Sequence, residues 1–198
     1  LMLAFTAGWF PFLLLFTMSA LGLSYNLRII PVGIGAKRYR RIRDIPGSKT
    51  ILIALAWGIV TAVFPSFAEP MRDNSSVIVA FLISSSLVFT RTAFFDILDM
   101  QGDRIVGRET IPILLGENSS LRLLKKILAM VVISLILAAG FGIVTGFGFW
   151  LLISPILMYF VLWIFERRKV QPGIRLEFLV ESNTVLTGCL ALPWSIMH

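Results

Sequence analysis

The amino-acid sequence predicts an all-α fold, a polytopic bundle of transmembrane helices. Hydrophobic residues make up 57% of the 198-residue chain and charged residues only 15%, whereas ordinary soluble domains carry about 25% charged residues. The mean hydropathy of +0.88 agrees with this composition. The apolar residues fall into six runs of the length needed to cross ~30 Å of hydrocarbon. Helices are expected because a helix satisfies its own backbone hydrogen bonds inside lipid.

Three long polar loops and two short turns separate the six apolar runs. We place the spans at about 2–23, 51–67, 75–95, 121–141, 149–165 and 178–197. The long loops cover about 25–50, 96–120 and 166–177. No stretch has the composition of a soluble domain, so the sequence predicts one membrane domain over residues 1–198. The polar residues Glu181 and Asn183 near the start of the last span are interpreted as helix-capping residues rather than as acceptor contacts.

Basic residues concentrate in the three long loops. Of the 18 Lys and Arg residues, residues 25–50 hold seven, residues 91–126 hold six and residues 166–177 hold four, whereas the short turns contribute only Arg72. Loops rich in Lys and Arg face the cytoplasm by the positive-inside rule. We therefore expect a multi-pass integral membrane protein, of the inner membrane if the source is bacterial. The first helix would begin outside, which predicts an odd number of helices upstream of Leu1.

Charge and composition also exclude several classes of function. The net charge of +7 is explained by the cytoplasmic loops, so no nucleic-acid partner is expected. The single cysteine, Cys189, excludes an internal disulfide and a zinc cluster. The single histidine, His198, is the last residue, which makes imidazole chemistry an improbable centre of any reaction.

Three carboxylates lie close together in the second long loop. Asp96, Asp99 and Asp103 follow at spacings of three and four residues, which places them on one face of a helix. Three like charges on one face repel each other unless a cation holds them. Acidic residues at helix ends are often merely solvated, but three on one face, followed by Gly107 and Pro112, favour a metal site at the end of a membrane helix.

The first basic loop, residues 25–50, lies on the same predicted side of the membrane as the three carboxylates. Mg²⁺ commonly takes one or two protein carboxylates and fills its other positions with water and phosphate oxygens. Arg and Lys can neutralise the remaining phosphate charge. The combination favours a magnesium-bound diphosphate, although positive-inside topology and contact with anionic lipid headgroups would also place basic residues in this loop.

The acidic stretch resembles a known family motif. The pattern Asp96-x-x-Asp99-x-x-Gly102-Asp103-x-x-x-Gly107-x-x-Thr110-x-Pro112 matches, at seven positions in seventeen residues, the second aspartate-rich motif of the UbiA-type intramembrane prenyltransferases. A weaker resemblance to the loop between that family's fourth and fifth helices covers Tyr25, the segment Ile45-Pro46-Gly47-Ser48-Lys49, and Ala56-Trp57-Gly58 in the following span.

The resemblance implies a fold of nine transmembrane helices around a cavity, and the Mg²⁺-dependent transfer of a prenyl group from a prenyl diphosphate to a lipophilic, typically aromatic, acceptor. It implies a metal role for Asp96, Asp99 and Asp103. Tyr25 would approach the diphosphate or stabilise a carbocation. The candidates for binding the diphosphate are Lys37, Arg38, Lys49 and Arg104. The candidates for stabilising the carbocation are Trp57, Phe94 and Phe95, although an aromatic residue in a membrane helix more often serves in packing.

The chain departs from the family pattern because the first aspartate-rich motif is absent from it. Its six spans correspond to the last six of nine, so the chain resembles the C-terminal two-thirds of the family and is expected to be inactive by itself. The alternative function is a non-catalytic, prenyltransferase-like scaffold that binds lipid. The Asp-Gly-x-x-Ala-Arg pattern of the CDP-alcohol phosphotransferases is absent from the sequence. Nothing in the residues selects the acceptor or the prenyl chain length.

Overall fold

The computed structural model describes residues 5, 8–31, 39–67, 74–167 and 173–190. Most of these residues are helical. The α-helices are α1 (Trp9–Ser24), α2 (Ser48–Gly58), α3 (Phe64–Ser66), α4 (Asn74–Leu98), α5 (Met100–Val106), α6 (Ile111–Leu115), α7 (Glu117–Gly140), α8 (Phe147–Leu151), α9 (Ile153–Glu166) and α10 (Ile174–Cys189). A π-helical segment (Ile59–Val63) joins α2 to α3, and a short 3₁₀ helix (Ile42–Asp44) precedes them.

Four helical stretches are long and apolar enough to cross a membrane. They are Ser48–Ser66, Asn74–Leu98, Glu117–Gly140 and Phe147–Glu166. They overlap the second to fifth predicted spans, so the prediction of a helical membrane bundle is confirmed. The first and last predicted spans fall on α1 and α10, each of which has 16 residues. The outer parts of these two spans lie outside the described residues, so the count of six spans and the nine-helix fold stay predictions.

The core of the bundle is organised along one face of α7. The buried apolar residues of this helix follow at alternating spacings of three and four, the pattern of one helical face. They are Leu121, Leu124, Leu128, Val131, Leu135 and Ala138. Residues of α4, α9 and α10 complete the same core, and the ring of Phe94 packs edge-on against that of Phe165 at 5.2 Å between centroids. The full burial of Phe94 in this contact favours packing over a carbocation role.

A second link joins α10 to α4. The guanidinium of Arg91 forms a bidentate ion pair with the carboxylate of Glu181. Helix α10 begins at Ile174 after the N-cap Gly173, so Glu181 lies two turns inside the helix. The interpretation of Glu181 as a helix cap was therefore wrong, because the helix extends further toward the loop than the hydropathy of the sequence suggested.

Helices α2 and α4 approach each other closely at Gly58. A Cβ atom at this position would lie only 1.9 Å from the Ser85 hydroxyl oxygen, so no larger residue fits without a shift. Small residues of this kind let membrane helices pack backbone to backbone. The two helices run antiparallel, and the first turn of α2 therefore meets the last turns of α4, where Thr50 contacts Asp96.

The first basic loop contains a small β element that the sequence did not predict. Strands β1 (Arg28–Pro31) and β2 (Tyr39–Arg41) form an antiparallel ribbon in which Arg28 pairs with Arg41 and Pro31 with Tyr39. The adjacent β-branched residues Ile29 and Ile30 favour extended backbone there. The ribbon returns the chain to the start of α2.

The acidic stretch changes direction twice. Helix α4 ends at Leu98, and Asp99 joins it to α5. Gly107 then ends α5 in the left-handed conformation with φ of 73°, which favours glycine. Pro112 occupies the first turn of α6, where its missing N–H costs no helical bond. Gly107 and Pro112 therefore end and restart the helix as expected, and the chain between them lies over the start of α2.

Candidate functional site

A cleft of about 710 Å³ lies where α2 begins and α4 ends. Four segments line it: the residues after α1, the start of α2 with the turn before it, the end of α4, and the end of the acidic stretch. The lining residues are Tyr25, Asn26, Arg43, Asp44, Ile45, Gly47, Ser48, Lys49, Thr50, Asp96, Val106, Gly107, Arg108, Glu109 and Thr110. The cleft therefore brings the acidic stretch against the end of the first basic loop, as the sequence predicted.

Asp96 is the buried carboxylate of the cleft. It retains 7% of its surface, and its Oδ2 accepts a hydrogen bond of 2.6 Å from the hydroxyl of Thr50, which is fully buried. Among the described residues, the second carboxylate oxygen, Oδ1, accepts no hydrogen bond. The contact fixes the carboxylate between α2 and α4 and leaves one oxygen for a ligand.

The other charges of the cleft come in both signs. Arg43, Lys49 and Arg108 line it together with Asp44, Glu109 and Asp96. Asp44 is already engaged, since its carboxylate accepts the Arg41 backbone N–H at 3.0 Å and lies 3.7 Å from the Arg43 guanidinium. Asp96 therefore remains, within the described ranges, the buried carboxylate of the cleft with an unused oxygen.

The three predicted metal ligands are not equivalent. Asp99 is exposed at the junction of α4 and α5. Asp103 is partly buried, and its carboxylate lies 3.5 Å from the guanidinium of the cleft residue Arg108. Across the described part of the chain, no three acidic, histidine or cysteine side chains come together as a metal-binding group. Asp99 lies at the one-residue interruption between α4 and α5, and helical backbone bonds from Asp99 to Phe95 and from Asp103 to Asp99 continue across it.

The remaining predicted site residues divide between the cleft and other places. Tyr25 and Lys49 line the cleft. Lys37 and Arg38 lie outside the described residues. Arg104 is exposed on α5, outside the lining of the cleft.

Trp57 and Phe95, like Phe94, lie outside the cleft lining. Trp57 is half-exposed on α2. The Phe95 ring packs against the core, with the Arg91 guanidinium 5.5 Å from its centroid. These positions bring neither ring to Asp96, so their role toward a carbocation stays a prediction.

Several cleft residues were missed by the sequence analysis. Ser48 and Thr50 open α2, and Arg108 and Thr110 lie at the end of the acidic stretch. A hydroxyl residue just after Pro46-Gly47 is a common way to begin a helix, so the sequence offered a capping signal but no indication of the partner of Thr50. Thr50 and Asp96 are 46 positions apart in the sequence, so their contact becomes visible only once α2 is packed against α4.

Comparisons with known proteins identify the family. The model of the UbiA prenyltransferase family matches residues 1–180. The chain belongs to this family. A digeranylgeranylglyceryl phosphate synthase of Haloquadratum walsbyi is 31% identical to it over 110 residues, which are 56% of this chain and 37% of the relative. The chain thus matches well under half of that relative's length. No solved structure matches significantly.

The donors at the cleft of this UbiA-family chain fit magnesium held jointly with a phosphate ligand. Asp96 has one unused carboxylate oxygen. The carboxylate of Asp103 contacts the guanidinium of Arg108, which lines the cleft. One or two carboxylates are what Mg²⁺ commonly takes from a protein when phosphate and water supply the rest. The described residues do not form a complete cage of protein ligands for a metal.

Proposed function

We propose that the protein transfers a prenyl group from a prenyl diphosphate to a lipophilic acceptor within the membrane. The observation that carries the proposal is the buried carboxylate of Asp96, which shares a cleft with Lys49 and Arg108 at the end of two apolar helices. A diphosphate needs cationic partners and a metal, whereas its prenyl tail needs an apolar surface. The cleft and the helices below it offer both. We further propose that the cleft faces the cytoplasm, because the basic loops flank it.

The residues of the cleft would have different roles in this reaction. Asp96 would hold Mg²⁺ together with Asp99 or Asp103. When bound, the ion stabilises the charge of the departing diphosphate. Lys49 and Arg108 would neutralise the phosphate oxygens that the metal leaves uncovered, and Tyr25 would contact the diphosphate from the end of α1.

The bond that breaks joins the allylic carbon of the prenyl group to the diphosphate oxygen, and both electrons leave with the diphosphate. The acceptor's nucleophilic carbon or oxygen then forms the new bond and loses its proton. Water would quench an allylic cation, so the surrounding apolar helices contribute by excluding it. The aromatic residues Trp57 and Phe95 stay candidates for cation–π stabilisation in a conformation that closes over the tail.

The comparison favours one class of acceptor over the others. The name of the relative from Haloquadratum walsbyi describes a glyceryl phosphate product. We therefore propose a prenylated glycerol phosphate as the first acceptor to test, and an aromatic acceptor as the second. A phosphate-bearing acceptor agrees with a cleft that contains three cationic side chains.

The test is a transfer assay in lipid nanodiscs that contain the intact protein. Radiolabelled prenyl diphosphates of several chain lengths are supplied with each acceptor, in Mg²⁺ and in excess chelator. We expect lipid-soluble product only with Mg²⁺, and a loss of at least tenfold in Asp99→Ala or in Asp103→Ala, whichever residue shares the ion with Asp96. Glu117→Gln, at the exposed first turn of α7, serves as the control.

Two outcomes would contradict parts of the proposal. Activity of Asp99→Ala within twofold of the parent would remove that residue from the metal site. Binding of prenyl diphosphate without turnover on any acceptor would favour the alternative, a lipid-binding scaffold.

A further inference from the structure

The start of α7 and the end of α9 are joined by an ion pair. The Lys125 ammonium lies 2.7 Å from the Glu166 carboxylate, and the Lys125 side chain is only 16% exposed. Behind the pair, Leu121 and Leu124 of α7 and Leu162 of α9 belong to one buried core. The pair and the core together fix which faces of the two helices meet at this end of the bundle.

The outer face of α7, beside this pair, is basic. Because an α-helix turns by about 100° per residue, Arg122 and Lys126 lie about 60° and about 100° around α7 from Lys125. The buried Leu121 and Leu124 lie on the opposite side of Lys125. Both cations are exposed, so they lie on the side of α7 that faces away from the core.

The outer face of α9, beside the pair, is aromatic and basic. Trp163 and Arg167 lie about 60° and about 100° around α9 from Glu166. The buried Phe165 lies on the opposite side of Glu166. The Arg167 guanidinium is 4.3 Å from the centroid of the Trp163 ring, which stacks in turn on the Phe160 ring at 5.7 Å. A guanidinium stacked on a ring keeps its N–H groups at the edge for a further partner.

The two outer faces form one surface. Since α7 and α9 run in opposite directions, equal rotations from the ion pair lead to the same side of the bundle on both helices. We call this side the basic surface, and it consists of Arg122, Lys126, Trp163 and Arg167. The acidic residues of α7 and α9 are Glu117 and Glu166. Glu166 is neutralised by Lys125, and Glu117 lies about 140° around α7 from Arg122, so the basic surface keeps its positive charge.

The basic surface continues along the two helices as an apolar groove. Ile133 lies about 80° around α7 from Lys125, and Ile156 lies about 80° around α9 from Glu166, in the same direction as the cations. Ile133 is 57% exposed and Ile156 is 52% exposed. Both belong to helical stretches that are long and apolar enough to cross a membrane. Charge at the helix ends is therefore followed by apolar surface along the same groove.

We propose that the basic surface binds the headgroup of an anionic phospholipid, with an acyl chain along the apolar groove. Arg122, Lys126 and Arg167 supply the charge that a lipid phosphate needs. Trp163 lies near the end of an apolar helix, where tryptophan is enriched at the level of the headgroups. A soluble anion would use the cations alone, whereas the apolar groove favours a lipid. Neither the cleft nor prenyl transfer enters this proposal.

Lipid binding is measured on the intact protein in detergent by native mass spectrometry. The probes are phosphatidylglycerol and phosphatidylcholine with identical acyl chains. We expect the parent to bind phosphatidylglycerol about tenfold more tightly, which corresponds to about 1.4 kcal/mol. Lys126→Gln combined with Arg167→Gln should remove that preference. Arg28→Gln combined with Arg175→Gln is the matched control, because it removes two exposed positive charges outside the basic surface and should keep the preference.

A second variant tests the aromatic part of the surface. Trp163→Leu keeps every charge but removes the ring under Arg167, and it should raise the Kd of phosphatidylglycerol about threefold. The proposal is overturned if the parent binds the two lipids equally well. It is also overturned if either surface variant, shown by its unfolding temperature to be folded, binds phosphatidylglycerol as the parent does. An equal loss in the control would assign the preference to the overall charge of the protein and would overturn the proposal as well.

Discussion

Two polar contacts tie α4 to its neighbours, and they lie five residues apart. Arg91 pairs with Glu181 of α10, and Asp96 accepts a hydrogen bond from Thr50 of α2. Both place ionisable groups in largely apolar helices, where such groups are costly and usually have a function. The sequence singles out Asp96 through its motif and Glu181 only as a polar residue in an apolar run, and the structure surrounds the two contacts differently.

The Arg91–Glu181 pair is satisfied internally. Both carboxylate oxygens of Glu181 accept bonds from one guanidinium, which also faces the Phe95 ring. Asp96 instead keeps an unused oxygen and shares its cleft with two hydroxyls that lack partners in the described residues. We infer that buried polar atoms without partners in the lining of a cleft, rather than intramembrane charge alone, point to a ligand site.

The largest expected effect is on Asp96. Asp96→Asn keeps an oxygen that can accept the Thr50 hydrogen bond, so the fold should persist, but it removes the negative charge that would hold the metal. We expect prenyl transfer to fall at least a hundredfold with the unfolding temperature within a few degrees of the parent. The transfer assay and a thermal unfolding curve in detergent measure the two. A variant that retains a tenth or more of the activity would contradict the role of Asp96.

Much of this fold could be predicted from the sequence, because hydropathy and spacing are local properties. The membrane helices and the acidic stretch ending at Gly107 and Pro112 are examples. The cleft could be predicted only in outline. The contact of Thr50 with Asp96 depends on the close approach of α2 and α4 at Gly58, and the spacing of Asp99 from Asp96 and Asp103 does not reveal that Asp99 is exposed. The periodicity of a single sequence reveals helices and strands, but it does not reveal tertiary contacts of this kind.

A smaller effect is expected at Thr50, which touches the proposed ligand only through Asp96. Thr50→Val has the same shape but no donor, whereas Thr50→Ser keeps the donor. A hydrogen bond to a charged group is worth about 1.5–3 kcal/mol, so Thr50→Val should reduce transfer about tenfold or more and raise the Mg²⁺ concentration needed for half-maximal rate. Thr50→Ser should restore both toward the parent values. If Thr50→Val and Thr50→Ser have the same Mg²⁺ dependence, Thr50 contributes by packing and does not position the Asp96 carboxylate.

The smallest effect on transfer is expected at the other contact of α4. Glu181→Leu leaves the Arg91 guanidinium without its ion-pair partner, and an unsatisfied group of this kind costs about 1–3 kcal/mol or more. We expect a lower unfolding temperature in detergent and transfer per folded protein within threefold of the parent. The double variant Arg91→Met with Glu181→Leu should recover most of the lost stability, because apolar side chains can replace an ion pair inside a bundle. A tenfold loss of transfer in the double variant, with stability recovered, would show that the Arg91–Glu181 pair acts on the substrate. The presence of unsatisfied polar atoms would then not distinguish the Thr50–Asp96 contact from the Arg91–Glu181 contact.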